Sequence, residues 1–493
     1  LSNGVRRALL FSFAERYLLI IISLASNLAI ARLLTPVEIG VFSVSLAVIS
    51  IAQVLRDFGV ASYLVQEKEL NDEHIRTALG VTLLIGGSLF LLMIAASPWV
   101  ADFYREPQMQ TMLSICALNF LLLPFSTISL ALLRREMAFK KLAAVGLFAA
   151  TVGALVSTGL AWGGMGAPSL AIGSVATNAA TGLAAWLARG DRRLLWPGFS
   201  QWRRLMGFGA QSSAVGIVTS VSMDINDLAV GKVMGFEAVA LISRAQGLMN
   251  LYHRDIMGAV RNVAFPAFAK AVREKQDMEP LYLTSVTHVT VTAWPFYGFV
   301  SLYALETLRL LFGPQWDSSA SLGPWFCLAG ALAACGSLIG NLIVAAGRMD
   351  LLTKVELVFQ PLRAALVVLA AVVFRTPLAC ALAFTLAMLI QLPLIYWVKG
   401  RFQPNDWREL GRQLLRNIAV CALALVLPLA IALGQGLHRG SPMPLGWFLL
   451  AIASCIASWL LALVCLRHPL ALDPAFQRVL RRLRLSRQHN PNP

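Results

Sequence analysis

Apolar stretches of about twenty residues follow one another along almost the whole of this 493-residue chain, broken by short polar connections. Twenty helical residues rise about 30 Å, the thickness of a bilayer's hydrocarbon core. Within lipid every backbone N–H and C=O must be satisfied by the protein itself, which leaves only helices or a closed barrel. The apolar runs are continuous rather than alternating. The expected fold is therefore an all-α polytopic membrane protein with about 14 transmembrane helices between residues 8 and 466. A composition of 58% apolar and 13% charged residues agrees with that class.

The formal net charge of +16 could suggest nucleic acid, but its placement argues for no such partner. Of the 41 lysines and arginines, 29 lie on or beside the termini and the even-numbered connections. Five lie on the odd-numbered ones: Arg32, Arg105, Lys232, Arg375 and Arg439. Positive residues stay on the cytoplasmic side of a membrane, so both termini are expected in the cytoplasm. Arg6 and Arg7 precede an apolar run with no small-residue cleavage site, and the first span is expected to remain as an anchor.

The seven cysteines fall in apolar segments without a C-x-x-C pair, which reads as small buried residues rather than disulfides or metal ligands. No P-loop, H-E-x-x-H or G-x-S-x-G pattern occurs. No cofactor, metal or catalytic group is expected, and transport driven by ATP within this chain is not.

A basic connection near 189–205 divides the chain, and a second polar one spans 399–413. The expected organisation is an N-terminal six-helix bundle (1–195), a second six-helix bundle (196–400), two additional helices (401–466) and a basic cytoplasmic tail (467–493). The first two blocks look related. An offset of 200 aligns Leu28-Ala29-Ile30-Ala31-Arg32 with Leu228-Ala229-Val230-Gly231-Lys232, and one of 198 aligns Arg56-Asp57 with Arg254-Asp255. Six spans per copy make the repeats parallel, with a substrate path expected between them. The two added helices carry few charges and read as lipid-facing.

Seven arginines remain inside apolar stretches: Arg16, Arg56, Arg244, Arg254, Arg261, Arg309 and Arg363. An arginine at mid-membrane costs about 2.5–3.5 kcal/mol even on insertion scales. Steps of 10 and 7 residues, at about 100° each, place Arg244, Arg254 and Arg261 on one face of a single helix. The stripe is roughly 25 Å long. Gly247, Leu251 and Gly258 lie between them on the same face, and the glycines leave room for something bulky. An anion in a water-filled cavity explains such a stripe; snorkelling or pairing with buried acids is the plainer alternative. Arg16, Arg56 and Arg363 are further candidate contacts, Arg56 paired with Asp57 and Arg363 with Glu356 being the alternatives. Asp57, Asp224, Asp255 and Glu356 are candidates for ion coupling, and the residues alone do not choose among them. Glu306 and Arg309 read as a structural i,i+3 pair.

The stretch Ala31-Arg32-Leu33-Leu34-Thr35-Pro36-Val37-Glu38-Ile39-Gly40-Val41-Phe42 resembles the loop between spans one and two of bacterial polysaccharide (Wzx-type) flippases. Leu55-Arg56-Asp57-Phe58-Gly59-Val60 and Gln66-Glu67-Lys68-Glu69-Leu70 continue the similarity, towards the branch that includes the colanic-acid exporter. Ser243-Arg244-Ala245-Gln246, Phe265-Pro266-Ala267-Phe268 and Leu311-Phe312-Gly313-Pro314-Gln315-Trp316 add weaker matches, so the likeness runs from about residue 8 to 400. It implies membership of the multidrug/oligosaccharidyl-lipid/polysaccharide superfamily and a V-shaped pair of six-helix bundles plus two C-terminal helices. It also implies alternating-access translocation of undecaprenyl-pyrophosphate-linked oligosaccharide across the bacterial inner membrane, driven by an ion gradient or the membrane potential, for exopolysaccharide, capsule or O-antigen assembly. Arg16, Arg56, Arg244, Arg254 and Arg363 would then meet pyrophosphate or sugar, with Arg261 added from the stripe. The expected partners are that lipid-linked oligosaccharide, the bilayer, and the polysaccharide polymerase and chain-length machinery. A flippase for the peptidoglycan precursor shares these features. A small-molecule or cation antiporter of the same architecture would need an acidic or aromatic cavity, whereas this one is basic.

Overall fold

The computed structural model describes residues 18–19, 21–57, 60, 63–64, 70–189, 196–200, 202, 220–222, 224–435 and 443–472, with the side chains of residues 54–57, 139 and 255 left aside. The regular elements of the described residues are all helices, without a strand. In chain order they form α1 (Ile21–Leu33), α2 (Pro36–Asp57), α3 (Asp72–Tyr104), α4 (Pro107–Arg135), α5 (Phe139–Trp162), α6 (Pro168–Ala188), α7 (224–234) and α8 (Phe236–Asn250). A wide turn, Leu251–Ile256, leads into α9 (Met257–Arg273). Then follow α10 (Glu279–Leu302), α11 (Ala304–Phe312), a 3-10 turn (Pro314–Ser321), α12 (Gly323–Gly336), α13 (Ile339–Ala345), α14 (Met349–Phe374), α15 (Pro377–Lys399), α16 (Trp407–Gln435) and α17 (Leu445–Cys465). Among the described residues, ten helical stretches are long and apolar enough to cross a membrane. The protein is an all-α, multi-pass membrane protein.

Local chemistry starts these helices where the sequence changes from polar to apolar. At α2 the Thr35 Oγ1 accepts from the Glu38 backbone N–H at 3.3 Å while the Glu38 carboxylate accepts from the Thr35 N–H at 2.8 Å. That reciprocal capping, with Pro36 at the first helical position, is the physical content of the Thr-Pro-x-Glu pattern. Asn71 and His74 cap α3 in the same reciprocal way. Gly40 has a different duty: a methyl there would overlap the Phe236 carbonyl, so the start of α8 packs directly on α2. The helix starts Pro36 and Phe236 are 200 residues apart, the offset at which the sequence repeats.

The described residues fall into two compact units, one drawn from 1–241, 311–315 and 367–376, the other from 242–310, 316–366 and 377–493. In the first, α4 packs against α3 and α6, and α6 against α5. Gly153 and Gly173 face Thr177 and Ser157 across α5 and α6 so closely that neither glycine has room for a methyl. Small residues of this kind let transmembrane helices approach where lipid offers no hydrophobic drive. Asn119 joins α4 to α6, accepting from Asn178 at 2.8 Å and donating to Ser174 at 3.3 Å.

In the second unit, α10 is the central post, flanked by α12 and by α16, which pairs with α17. The last two helices are thus not merely lipid-facing. Asn417 of α16 is fully buried and donates to the Thr287 carbonyl at 3.0 Å and the Thr290 hydroxyl at 2.6 Å. Trp459 of α17 donates to the Val291 carbonyl at 2.9 Å, and Tyr303 reaches the Pro428 carbonyl at 2.6 Å. Outward, Leu415, Ile418, Val426, Leu433, Leu449 and Leu461 remain exposed, as lipid contact requires. A one-sided charge count cannot reveal such contacts because the groups that make them are uncharged.

His468, just beyond α17, closes this network. Its Nδ1 accepts from the Leu470 N–H at 3.2 Å, which leaves Nε2 as the donor to Asn417 Oδ1 at 2.8 Å. Only the neutral imidazole fits that arrangement. Burial, followed by the charges of Arg416 and His288, pushes His468 down to about 4. The unfolded chain titrates near 6.5, so it takes up a proton first as pH falls. This site's contribution is full above that value and is lost as the pH drops towards 4. The detergent-solubilised protein is expected to melt at a progressively lower temperature between about pH 6.5 and 4.5. His468→Gln, which keeps a donor for Asn417, should flatten that dependence; an equally steep one would place the titrating group elsewhere.

Candidate functional site

The arginine-bearing helix is continuous in chain but not in pitch. Between α8 and α9, residues Leu251–Ile256 form a π-helical turn, in which hydrogen bonds reach one residue further than in an α-helix. The assumption of 100° per residue therefore fails across this segment, and the three arginines do not sit in equivalent environments. Arg244 is half-buried, with its guanidinium 4.8 Å from the centre of the Trp316 ring. Arg254, within the wide turn, is exposed, and Arg261 is half-buried. Gly247 keeps open space beside Arg244's helix, since a methyl there would meet nothing within 4 Å.

The wide turn is held by side chains. Tyr297 donates to the Met249 carbonyl at 3.1 Å, Tyr252 to the Val289 carbonyl at 3.2 Å, and the Arg261 Nη2 to the His253 carbonyl at 3.2 Å. Arg261 thus meets a backbone dipole, and among the described residues no carboxylate lies within salt-bridge distance of it. Such turns cost backbone geometry and persist where the surroundings hold them.

On α14 the alternative of an Arg363–Glu356 ion pair is not formed. Glu356 accepts from Gln360 at 2.7 Å, while the Arg363 guanidinium lies 5.6 Å from the centre of the Phe384 ring. The i,i+4 partner outcompetes the residue seven positions away. Asp224, in the other unit, accepts from Ser220 at 3.0 Å and from Ser50 of α2. Glu306 and Arg309 are not a pair: Arg309 engages Asp317 through both carboxylate oxygens, one of them at 2.6 Å, and Glu306 accepts from the Met443 N–H at 3.4 Å. Arg56 and Asp57 end α2 and Asp255 belongs to the wide turn, their side chains outside the description. Arg16 lies outside the described residues altogether.

Trp316 and a buried ion pair were not singled out by the residue pattern. Lys399, at the end of α15, is fully buried and donates to Glu279 in the first turn of α10 and to Asn405 at 2.9 Å. Glu279 also accepts from the Asp406 N–H at 3.1 Å. The only sequence signal was that each charge complements its own helix end.

Residues 29–321, the stretch holding α2, the arginine helix and Trp316, match the model of a family described as "Polysaccharide biosynthesis protein". The chain belongs to this family. Among its relatives, the lipopolysaccharide biosynthesis protein WzxC of Escherichia coli (strain K12) is 22% identical over 75% of this chain and 74% of its own length. The teichuronic acid biosynthesis protein TuaB of Bacillus subtilis (strain 168) is 23% identical over 61% of this chain and 62% of its own length. For the fold, the lipid II flippase MurJ superposes with a TM-score of 0.73 at 13% identity, covering 93% of this chain and 99% of that one. A multidrug resistance MATE family transporter of the MOP superfamily gives 0.60 at 14% identity, over 78% and 94%. The chain is accordingly a multi-pass membrane member of the polysaccharide biosynthesis family, with the fold of the lipid II flippase and the MATE transporter on which it superposes.

Proposed function

We propose that the substrate is an undecaprenyl-pyrophosphate-linked oligosaccharide, carried across the bacterial cytoplasmic membrane by alternating access for exopolysaccharide, capsule or O-antigen assembly. The observation that carries this reading is the helix from Phe236 to Arg273, with three arginines over roughly 25 Å, open space at Gly247, and an Arg261 met by a carbonyl instead of a carboxylate. A diphosphate supplies the missing negative charge, and guanidinium forks match its oxygens. Arg363, and Arg16 and Arg56 by resemblance, are further candidate contacts for the anion. Translocation breaks no covalent bond; the energy comes from an ion gradient or the membrane potential. Of the two candidate coupling carboxylates whose side chains are described, Asp224, held by the Ser220 and Ser50 hydroxyls, is better placed than Glu356, and Asp57 and Asp255 stay candidates from the sequence. The six-plus-six-plus-two division into 1–195, 196–400, 401–466 and 467–493 follows the same reading, as does contact with a polymerase and chain-length machinery.

Expression of the protein in a strain lacking its own polysaccharide flippase, with the matching repeat-unit pathway supplied, should restore surface polysaccharide. Both termini are placed in the cytoplasm. In those cells a cysteine at position 35, in a background without native cysteines, should react with an impermeant maleimide, and one at 271 should not. Lipid-linked repeat units that stay on the cytoplasmic leaflet would contradict the assignment, and the reverse labelling would overturn the orientation.

A further inference from the structure

Trp316 is fully buried, yet its ring faces a cation: the Arg244 guanidinium lies 4.8 Å from its centre. The turn that carries it is pinned next door, where Arg309 grips Asp317 with two parallel hydrogen bonds, one of 2.6 Å. A bidentate clamp of this kind fixes orientation as well as position. Tryptophan has the strongest cation-binding face of the aromatic side chains. A free arginine side chain, by contrast, carries rotamer entropy that an anion would have to freeze on binding.

Resting on the diphosphate reading above, we infer that Trp316 is a positioning residue. It holds the Arg244 guanidinium pre-set against its ring, so that a phosphate oxygen meets a donor already in place. Its contribution is indirect and passes through Arg244. The Gly-Pro-Gln-Trp stretch at 313–316 then acts on affinity from outside the arginine helix.

The test is a double-mutant cycle on the purified full chain, with farnesyl pyrophosphate as the probe and affinity measured at fixed salt. Trp316→Leu should weaken binding about five- to tenfold and Trp316→Phe about two- to threefold, following the strength of the aromatic face. In an Arg244→Ala background neither change should weaken it further, a coupling that a merely structural tryptophan would not show. If Trp316→Leu does not accumulate as folded protein, the Phe variant carries the same cycle. Equal losses with and without Arg244, or no loss in its presence, would overturn the inference while leaving the diphosphate reading intact. No effect of Arg244→Ala itself would instead sink Arg244's place in that reading.

Discussion

Arg254→Ala abolishes surface polysaccharide in expression-matched complementation while the protein still inserts and accumulates; that is the expected result for the wide turn at the middle of the arginine helix. Arg254 is exposed at this position, so its loss removes no core packing. The π-helical turn around it is secured by Tyr297, Tyr252 and Arg261, none of which the substitution touches. One charge-assisted contact to a diphosphate is worth about 1.5–3 kcal/mol, or ten- to a hundredfold in affinity. Arg254→Lys should recover part of the activity, keeping the charge without the fork. Arg261→Ala should be milder in transport and more costly in stability, because it also leaves the His253 carbonyl without its donor. Full activity for Arg254→Ala would make that residue redundant.

The second large effect is on folding. Lys399→Met should destabilise the protein by about 3–5 kcal/mol, because it leaves the Glu279 carboxylate buried without its counter-charge. Glu279 is only 8% exposed and Lys399 not at all. Lys399 also lies 4.6 Å from the centre of the Tyr282 ring, whose hydroxyl donates to Tyr396 at 2.8 Å, so the pair is tied to both α10 and α15. Adding Glu279→Gln to Lys399→Met should return much of the loss, since a neutral pair no longer strands a charge. Melting curves of the two variants in one detergent check this; a double variant no more stable than the single would mean that packing, not charge, dominates there.

The parts of this fold that could be read from sequence are those set by neighbours in the chain. Continuous apolar runs became helices, Thr35-Pro36-Glu38 became a helix start, and the 200-residue offset reappeared as Pro36 and Phe236 each opening a helix. The departures have physical causes at longer range. Even periodicity cannot foresee a π-helical turn whose carbonyls are held from residues such as Tyr297. Lys399 and Glu279 are 120 residues apart, and Arg309 chose Asp317 over the nearer Glu306 because the 3-10 turn brings both carboxylate oxygens into its fork. Asn417 and His468 showed nothing in composition, since uncharged polar groups in apolar helices declare themselves only through their partners. The arginines stood out because their cost in lipid is large whatever the partner.

The central claim is translocation of a lipid-linked diphosphate without nucleotide, and the most direct measurement is leaflet exchange in liposomes. Purified protein would be reconstituted with a fluorescent undecaprenyl-pyrophosphate oligosaccharide, an imposed proton gradient or membrane potential, and no ATP. Exchange that depends on the gradient, is lost in Arg254→Ala and is not supported by lipid II is the predicted outcome. Exchange that requires ATP, proceeds equally in Arg254→Ala, or serves only lipid II would contradict it.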